Sequence, residues 1–419
     1  LQGLPAHWIV ERVSNRAWIS IGWTPPTSDD ANFTGENLWA NISDLDQKYI
    51  RDTAKRVSDD AIQFARARPA PVGSLLFGFK LSVGTVSFPT VPIYTNEAIA
   101  AFIPRRELEI RYAYYAFPIY ILRNAGENIY GAPILNQTRL AQARVAFPPI
   151  GEQRAIADYL DRETAQIDAF IAKNEELIAL LTERRAAAIE AAVAPRVIPS
   201  TWSVCQVRRL GLRNESGVSV NGYSVPAAIN EVGVLKTGAV SKGFFDPAEN
   251  KRVVEEDLER VSTPVRAATL IVNRANTPEL VGSAGYVTED HPTLFLSDKL
   301  WQLTFVSADA AFMHYWTLSI AYRSQLHGLS VGASPSMQNL SYADFLSMIV
   351  AVPPLQEQHR IVERLKRTTD RIDAAIALAQ SGIRLARERR AALISAAVTG
   401  KIDVASTRIM GGADQSMTS

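Results

Sequence analysis

The sequence predicts an α+β chain: two mixed α/β domains separated by two long helices that pair as an antiparallel coiled coil, with a pseudo-twofold axis relating the halves. Three observations carry that expectation. One segment occurs twice at a fixed offset of 205, so that residues 148–193 and 353–398 match at 24 of 46 positions without a gap. The openings of the two halves also match, Leu4-Pro5-Ala6-His7-Trp8 against Ile198-Pro199-Ser200-Thr201-Trp202. Between each opening and its helix lie roughly 140–150 residues of strand-like and loop-like sequence. Two copies are too few for a solenoid and point to internal duplication instead.

The elements follow in chain order. Residues 1–147 form the first domain, with strand-like runs at Ser74-Leu75-Leu76-Phe77-Gly78-Phe79 and Val91-Pro92-Ile93-Tyr94 and a helical stretch at 111–121. Phe147-Pro148-Pro149 then opens the first helix, 148–195, because proline is tolerated before a helix and not inside it. Residues 196–352 form the second domain, with strand-like runs at 269–272, 293–296 and 301–305 and a helical stretch at 310–326. Val352-Pro353-Pro354 opens the second helix, 353–405, which Gly400 closes as a C-cap. Residues 406–419 are expected to be a disordered tail.

The helices share an apolar seam, Ile156, Leu160, Ile167, Ile171, Ile178 and Leu181 against Ile361, Leu365, Ile372, Ile376, Ile383 and Ala386. Its 4-7-4-7-3 spacing fits heptads with some positions left polar, filled in the first copy by Thr164, Asn174 and Arg185. A rod of 40-odd residues is about 60 Å long and would expose that seam without a partner, which the other copy supplies. Residues 148–195 carry 5 Lys/Arg and 9 Asp/Glu and residues 353–400 carry 9 and 5, so their net charges are −4 and +4. Opposite charge favours side-by-side pairing.

Between the domains the match is faint. Lys55-Arg56-Val57 aligns with Lys251-Arg252-Val253, and Leu76-Phe77-Gly78-Phe79-Lys80 with Leu270-Ile271-Val272-Asn273-Arg274, each soon followed by Val-Gly. Domains that diverge on a retained scaffold are expected to read two different things.

Composition excludes several classes. No run of about 18 apolar residues exists, so no membrane span is expected, and the N-terminus lacks a signal-peptide pattern. Cys205 is the only cysteine among 419 residues, which excludes intrachain disulfides and cysteine-rich zinc sites and points to a reducing, cytoplasmic setting. The chain contains no Walker loop, Gly-rich dinucleotide fingerprint, His-Glu-x-x-His or Asn-Pro-Pro-Tyr, and its five histidines are scattered. No catalytic residue, metal ligand or cofactor site is therefore expected.

A net charge of +1 is weak for a nucleic-acid binder, so candidates are sought residue by residue. Basic residues beside turns are the best: Lys48, Arg51, Lys55, Arg56 and Lys80 in the first domain, with Arg66 and Arg68 nearby. The second domain offers Lys236, Lys242, Lys251, Arg252, Arg274 and Asn276. Arginine suits guanine edges, asparagine adenine edges, and either basic side chain suits phosphate. Lys80 and Arg274 occupy matching places in the alignment above. Tyr112, Tyr114, Tyr115, Phe117, Tyr315, Trp316 and Tyr322 suggest base stacking, but aromatics at helical spacing are usually core.

A pair of variable domains, each followed by Pro-Pro-x-x-Glu-Gln and a helix ending in Glu-Arg-Arg-Ala-Ala, resembles the specificity subunit (HsdS) of type I restriction-modification systems. Phe79-Lys80-Leu81-Ser82-Val83-Gly84 and Val398-Thr399-Gly400-Lys401-Ile402 are similar to that family too. The first helix departs at its end, with Val193-Ala194-Pro195. The resemblance implies a non-catalytic, DNA-binding subunit whose two target-recognition domains each read one half of a bipartite double-stranded site. The helices would set the gap and dock two modification (methyltransferase) subunits. S-adenosylmethionine, ATP and Mg would be held by those modification subunits and by restriction/translocase subunits. The alternative is a coiled-coil adaptor with two ligand-binding domains that does not bind DNA.

Overall fold

A computed structural model describes residues 3–80, 82–127, 133–329, 331–334 and 337–404; the expected tail lies outside them. The chain forms two compact units, Leu1–Lys173 with Gly382–Ser419, and Asn174–Ser381. Both long helices pass from one unit into the other.

In the first unit, β1 (Ile9–Arg12) leads through the one-turn α1 (Val13–Arg16) to β2 (Ala17–Ile21). Then come β3 (Asn37–Ala40), β4 (Tyr49–Ile50), β5 (Lys55–Val57), α2 (Asp59–Ala65), β6 (Leu75–Gly78), β7 (Val86–Pro89), β8 (Tyr94–Thr95) and β9 (Ile99–Pro104). Helix α3 (Ile110–Leu122), the hairpin β10 (Gly126–Glu127) and β11 (Pro133–Ile134), α4 (Gln137–Gln142) and β12 (Arg144–Phe147) lead into α5 (Ile150–Val193). The main sheet has the order β2-β9-β6-β7-β4, and a smaller one the order β5-β3-β8 with β3 and β8 parallel. Strand β1 pairs with β12. Leu75, Phe77, Phe102, Tyr112 and Phe117 form the core, which extends onto Ile156 and Leu160 of α5.

The second unit repeats this plan. It comprises β13 (Ser203–Gln206), β14 (Arg213–Ser216), β15 (Gly233–Leu235), β16 (Asn250–Arg252), β17 (Pro264–Val265), β18 (Thr269–Asn273), β19 (Ala275–Asn276), β20 (Ala284–Val287), β21 (His291–Phe295) and β22 (Leu300–Thr304). Helices α6 (Ala310–Thr317) and α7 (Ile320–Leu329), strands β23 (Val331–Ser334) and β24 (Met337–Asn339), α8 (Tyr342–Ser347) and β25 (Ile349–Val352) precede α9 (Leu355–Val398). The order β14-β22-β18-β20 matches β2-β9-β6-β7. The order β16-β15-β21, with β15 and β21 parallel, matches β5-β3-β8, and β13 pairs with β25 as β1 does with β12.

The repeated Pro-Pro-x-x-Glu-Gln motif fastens each domain to its helix. Trp8 and Trp202 donate their indole N–H to Glu152 and Glu357, both at 3.0 Å. The buried Gln153 amide accepts from the Glu109 N–H (3.0 Å) and donates to the Pro148 carbonyl (2.8 Å). Gln358 does the same to Asp309 (2.7 Å) and Pro353 (2.8 Å). Glu109 and Asp309 cap α3 and α6, so one glutamine ties the start of a domain helix to the start of a long helix.

Within each unit the long-helix segments run antiparallel. Arg390 pairs with Asp168 at 2.9 Å in the first unit, and Arg185 with Asp373 at 3.0 Å in the second. Asp373 is Asp168 plus 205 and Arg390 is Arg185 plus 205, so one ion pair occurs twice. Ile156, Leu160, Ile167, Ile361, Leu365, Ile372 and Ile383 are buried as the seam requires. Thr164 and Thr369 fill the polar gaps by donating to the carbonyls of Leu160 and Leu365. Gly400, at φ 69°, ends α9: Lys401 N–H reaches the Ala396 carbonyl and Gly400 N–H that of Ala397, the Schellman pattern.

Candidate nucleic-acid interface

Basic residues gather at the edge strand of each small sheet. In β5, Lys55 is exposed, with its ammonium 5.4 Å over the Phe33 ring. Arg56 donates to the Thr53 carbonyl (2.7 Å) and pairs with Asp52 (2.6 Å); the Thr53 N–H and that guanidinium hold the Asp52 carboxyl below its usual range. In β16, Lys251 donates to the Val220 carbonyl at 2.7 Å. Arg252 pairs with Glu231 at 3.0 Å and lies 4.4 Å over the Tyr223 ring. The Ala228 N–H and Arg252 hold Glu231 low. Phe33 and Tyr223 come from equivalent connections, β2–β3 and β14–β15. Trp39 pairs with Lys55 and Tyr94 as Val234 pairs with Lys251 and Phe295, so the aligned Lys-Arg pairs occupy equivalent places.

The second domain adds a cavity of about 270 Å³ lined by Lys236, Lys251 and Lys299, with Thr237, Ser297 and Asp298. Lys236 sits just beyond β15, its N–H on the Glu249 carbonyl. Lys299 precedes β22, and its carbonyl accepts the Arg274 N–H at 3.0 Å. Arg274 is therefore tied by its backbone to the cavity wall. Among the described residues its buried Nε has no hydrogen-bond partner. Asn276, in β19, uses its side-chain oxygen on the Thr277 N–H. Lys299 was missed in the sequence; a basic residue in the Ser297-Asp298-Lys299 turn between two strands was the available signal.

The remaining candidates are dispersed. Lys48 is committed to the fold: it pairs with Asp161 of α5 at 2.7 Å and lies 5.2 Å and 5.6 Å from the Tyr114 and Tyr115 ring centres. Burial pushes the Asp161 carboxyl up, but Lys48, Tyr115 and Arg111 outweigh it and hold it below its usual range. Arg51 is exposed beside a hollow of about 650 Å³ that also carries Asp44, Asp46 and Asp52. Arg66 and Arg68 are exposed after α2. Lys242 is 3.5 Å from Asp246. Lys80 is exposed near Glu97, whose carboxyl the Thr24 hydroxyl and, secondarily, Lys80 hold low.

The alignment that matched Lys80 with Arg274 is off by one residue. Gly78 pairs with Ile99 and accepts from the Gly84 N–H; Asn273 pairs with Leu300 and accepts from the Gly282 N–H. Arg274 therefore matches Phe79, a buried core residue, and Lys80 matches Ala275. Side chains alternate between faces along a strand, so a slip of one reverses the facing of every residue.

The helix aromatics are core. Tyr112 donates to the Ala146 carbonyl, Tyr322 to that of Gly282 and Tyr115 to Asp161; Phe117 and Trp316 are buried. Among the described residues no cluster of three or more His, Cys, Asp or Glu could hold a metal, and no helix is long and apolar enough to cross a membrane.

Residues 19–179 match the family model "Type I restriction modification DNA specificity domain". The chain is 23% identical over 283 residues to the type I restriction enzyme EcoBI specificity subunit of Escherichia coli, covering 61% of this chain and 58% of that protein. It is 24% identical over 233 residues to the EcoKI specificity subunit of E. coli K12, covering 53% and 50%. The chain thus spans about half the length of the curated relatives it matches. In fold it is similar to the HsdS subunit from Thermoanaerobacter tengcongensis, with TM-score 0.54, 15% identity, and 95% and 98% of the two chains covered. It is also similar to a chain from a structure of type I restriction-modification complex assembly, with TM-score 0.68, 14% identity, and 96% and 100% covered.

Proposed function

We propose, from the match of residues 19–179 to the type I restriction-modification DNA specificity domain, that the chain is a member of the specificity-subunit (HsdS) family of type I restriction-modification systems and is the non-catalytic subunit that chooses the DNA sequence. Each domain reads one half of a bipartite site, and the long helices set the gap and dock two modification subunits. Restriction/translocase subunits complete the assembly, and S-adenosylmethionine, ATP and Mg belong to those partners. The observation that carries this reading is the pair of equivalent edge strands, with Lys55-Arg56 beside Phe33 in one domain and Lys251-Arg252 beside Tyr223 in the other. Two domains of one plan and different surface chemistry suit two different half-sequences.

The reading is tested by methylome sequencing of cells that express the chain with its modification subunits. The expected result is one split, asymmetric motif. Exchange of residues 1–147 for another family member's first domain changes one half-sequence and leaves the gap. An adaptor that does not bind DNA would leave the methylome unchanged and show no steep fall of DNA affinity with salt.

A further inference from the structure

We propose that the lysine-lined cavity of the second domain is a phosphate subsite that takes a backbone phosphate of the DNA; this rests on the DNA-reading function above. Lys236, Lys251 and Lys299 line about 270 Å³ of open space together with one carboxylate-bearing residue, Asp298. The Val220 carbonyl occupies one of the three Lys251 donors. The ammonium groups of Lys236 and Lys299 have no hydrogen bond or ion pair among the described residues. Three cations around one hollow repel each other unless an anion joins them. Thr237 and Ser297, two hydroxyl-bearing residues, also line it, and a hydroxyl can donate to a phosphate oxygen. The donors are lysines, compact point charges, and not the planar forks of arginine that match base edges. That chemistry fits a backbone contact that fixes position without reading sequence.

The subsite belongs to the second domain alone. Strand pairing sets Asn41 against Lys236, Lys55 against Lys251, and Ala98 against Lys299. The first domain therefore has one lysine where the second has three, and its backbone contacts must lie elsewhere.

The test uses the whole chain with its modification subunits, and DNA bearing the motif found in the methylome. The K236A/K299A variant should keep its melting temperature, since neither side chain bonds to the fold. It should weaken binding to all DNA uniformly and flatten the slope of log affinity against log salt by about one, with the motif unchanged. K236R/K299R should restore the slope. An unaltered slope with site-specific binding intact would overturn the subsite and leave the function standing. Failure of the unsubstituted complex to bind DNA would overturn the function and the subsite with it. Calorimetry with inorganic phosphate separates the sources: saturable binding lost in K236A/K299A, with an unaltered DNA slope, would assign the cavity to free phosphate and overturn the DNA contact.

Discussion

Gln153 is a residue whose importance lies in geometry. Its amide, itself buried, bonds the Glu109 N–H and the carbonyls of Glu107 and Pro148. Gln358 makes the corresponding bonds to Asp309 and Pro353. Truncation leaves the Pro148 or Pro353 carbonyl unpaired at a buried position, at about 1–3 kcal/mol. Q153A and Q358A should each lower the urea midpoint by a similar amount, because the Glu107 carbonyl that Q153A also releases is exposed and still accepts from Arg16; negligible shifts would refute the clamp. Asp161 tests the other fastening of the first domain. Its carboxyl is held below the unfolded value of about 4, so its contribution is present above that pH and fades as pH falls through the folded value. D161N should be less stable than the parent near neutrality, and the gap in urea midpoint should narrow on acidification below about pH 4. A gap that stayed constant with pH would assign the loss to packing.

At the scale of the elements, the opposite charges of the long helices serve more than their pairing. The surplus acid of α5 includes Asp158 and Asp161, which bond Arg111 and Lys48 of the first domain. At the place of Asp161 the second helix carries Lys366. The cross-helix pairs Asp168–Arg390 and Asp373–Arg185 use residues identical in the two copies. They are half-exposed, so each contributes only about 0–1 kcal/mol and mainly fixes register; the buried isoleucines and leucines supply the adhesion. In a C205S background, D168C/R390C should crosslink within the chain by a short bismaleimide. D158C/L385C, some 15 residues or about 22 Å out of antiparallel register, should not. The opposite pattern would refute antiparallel packing.

For the whole molecule, the proposed ruler makes a quantitative prediction. Each long helix has 44 residues, about 66 Å at 1.5 Å per residue. Removing one heptad from both shortens the rod by about 10 Å, or about 3 bp. Methylome sequencing should return the same half-sequences with a narrower gap, or no methylation if the rotation about the DNA axis no longer matches. Changed half-sequences with an unchanged gap would mean that the helices are not the ruler.

The sequence by itself determined the duplication, both long helices, their seam, the Gly400 cap and the Lys-Arg correspondence of β5 and β16. These are local or periodic signals: proline sets a helix start, a seven-residue spacing sets a face, and identity at constant offset needs no folding to be seen. Only the tertiary structure decided that Arg274 answers to Phe79 rather than Lys80, because register is fixed by hydrogen bonds to β9 and β22, remote in sequence. Only it withdrew Lys48 to Asp161, 113 residues away, and joined Lys236, Lys251 and Lys299 around one cavity. A charge on a surface turn looks the same in sequence whether it faces water, a carboxylate or a second lysine; its neighbours are chosen by strand pairing, which a linear pattern does not encode.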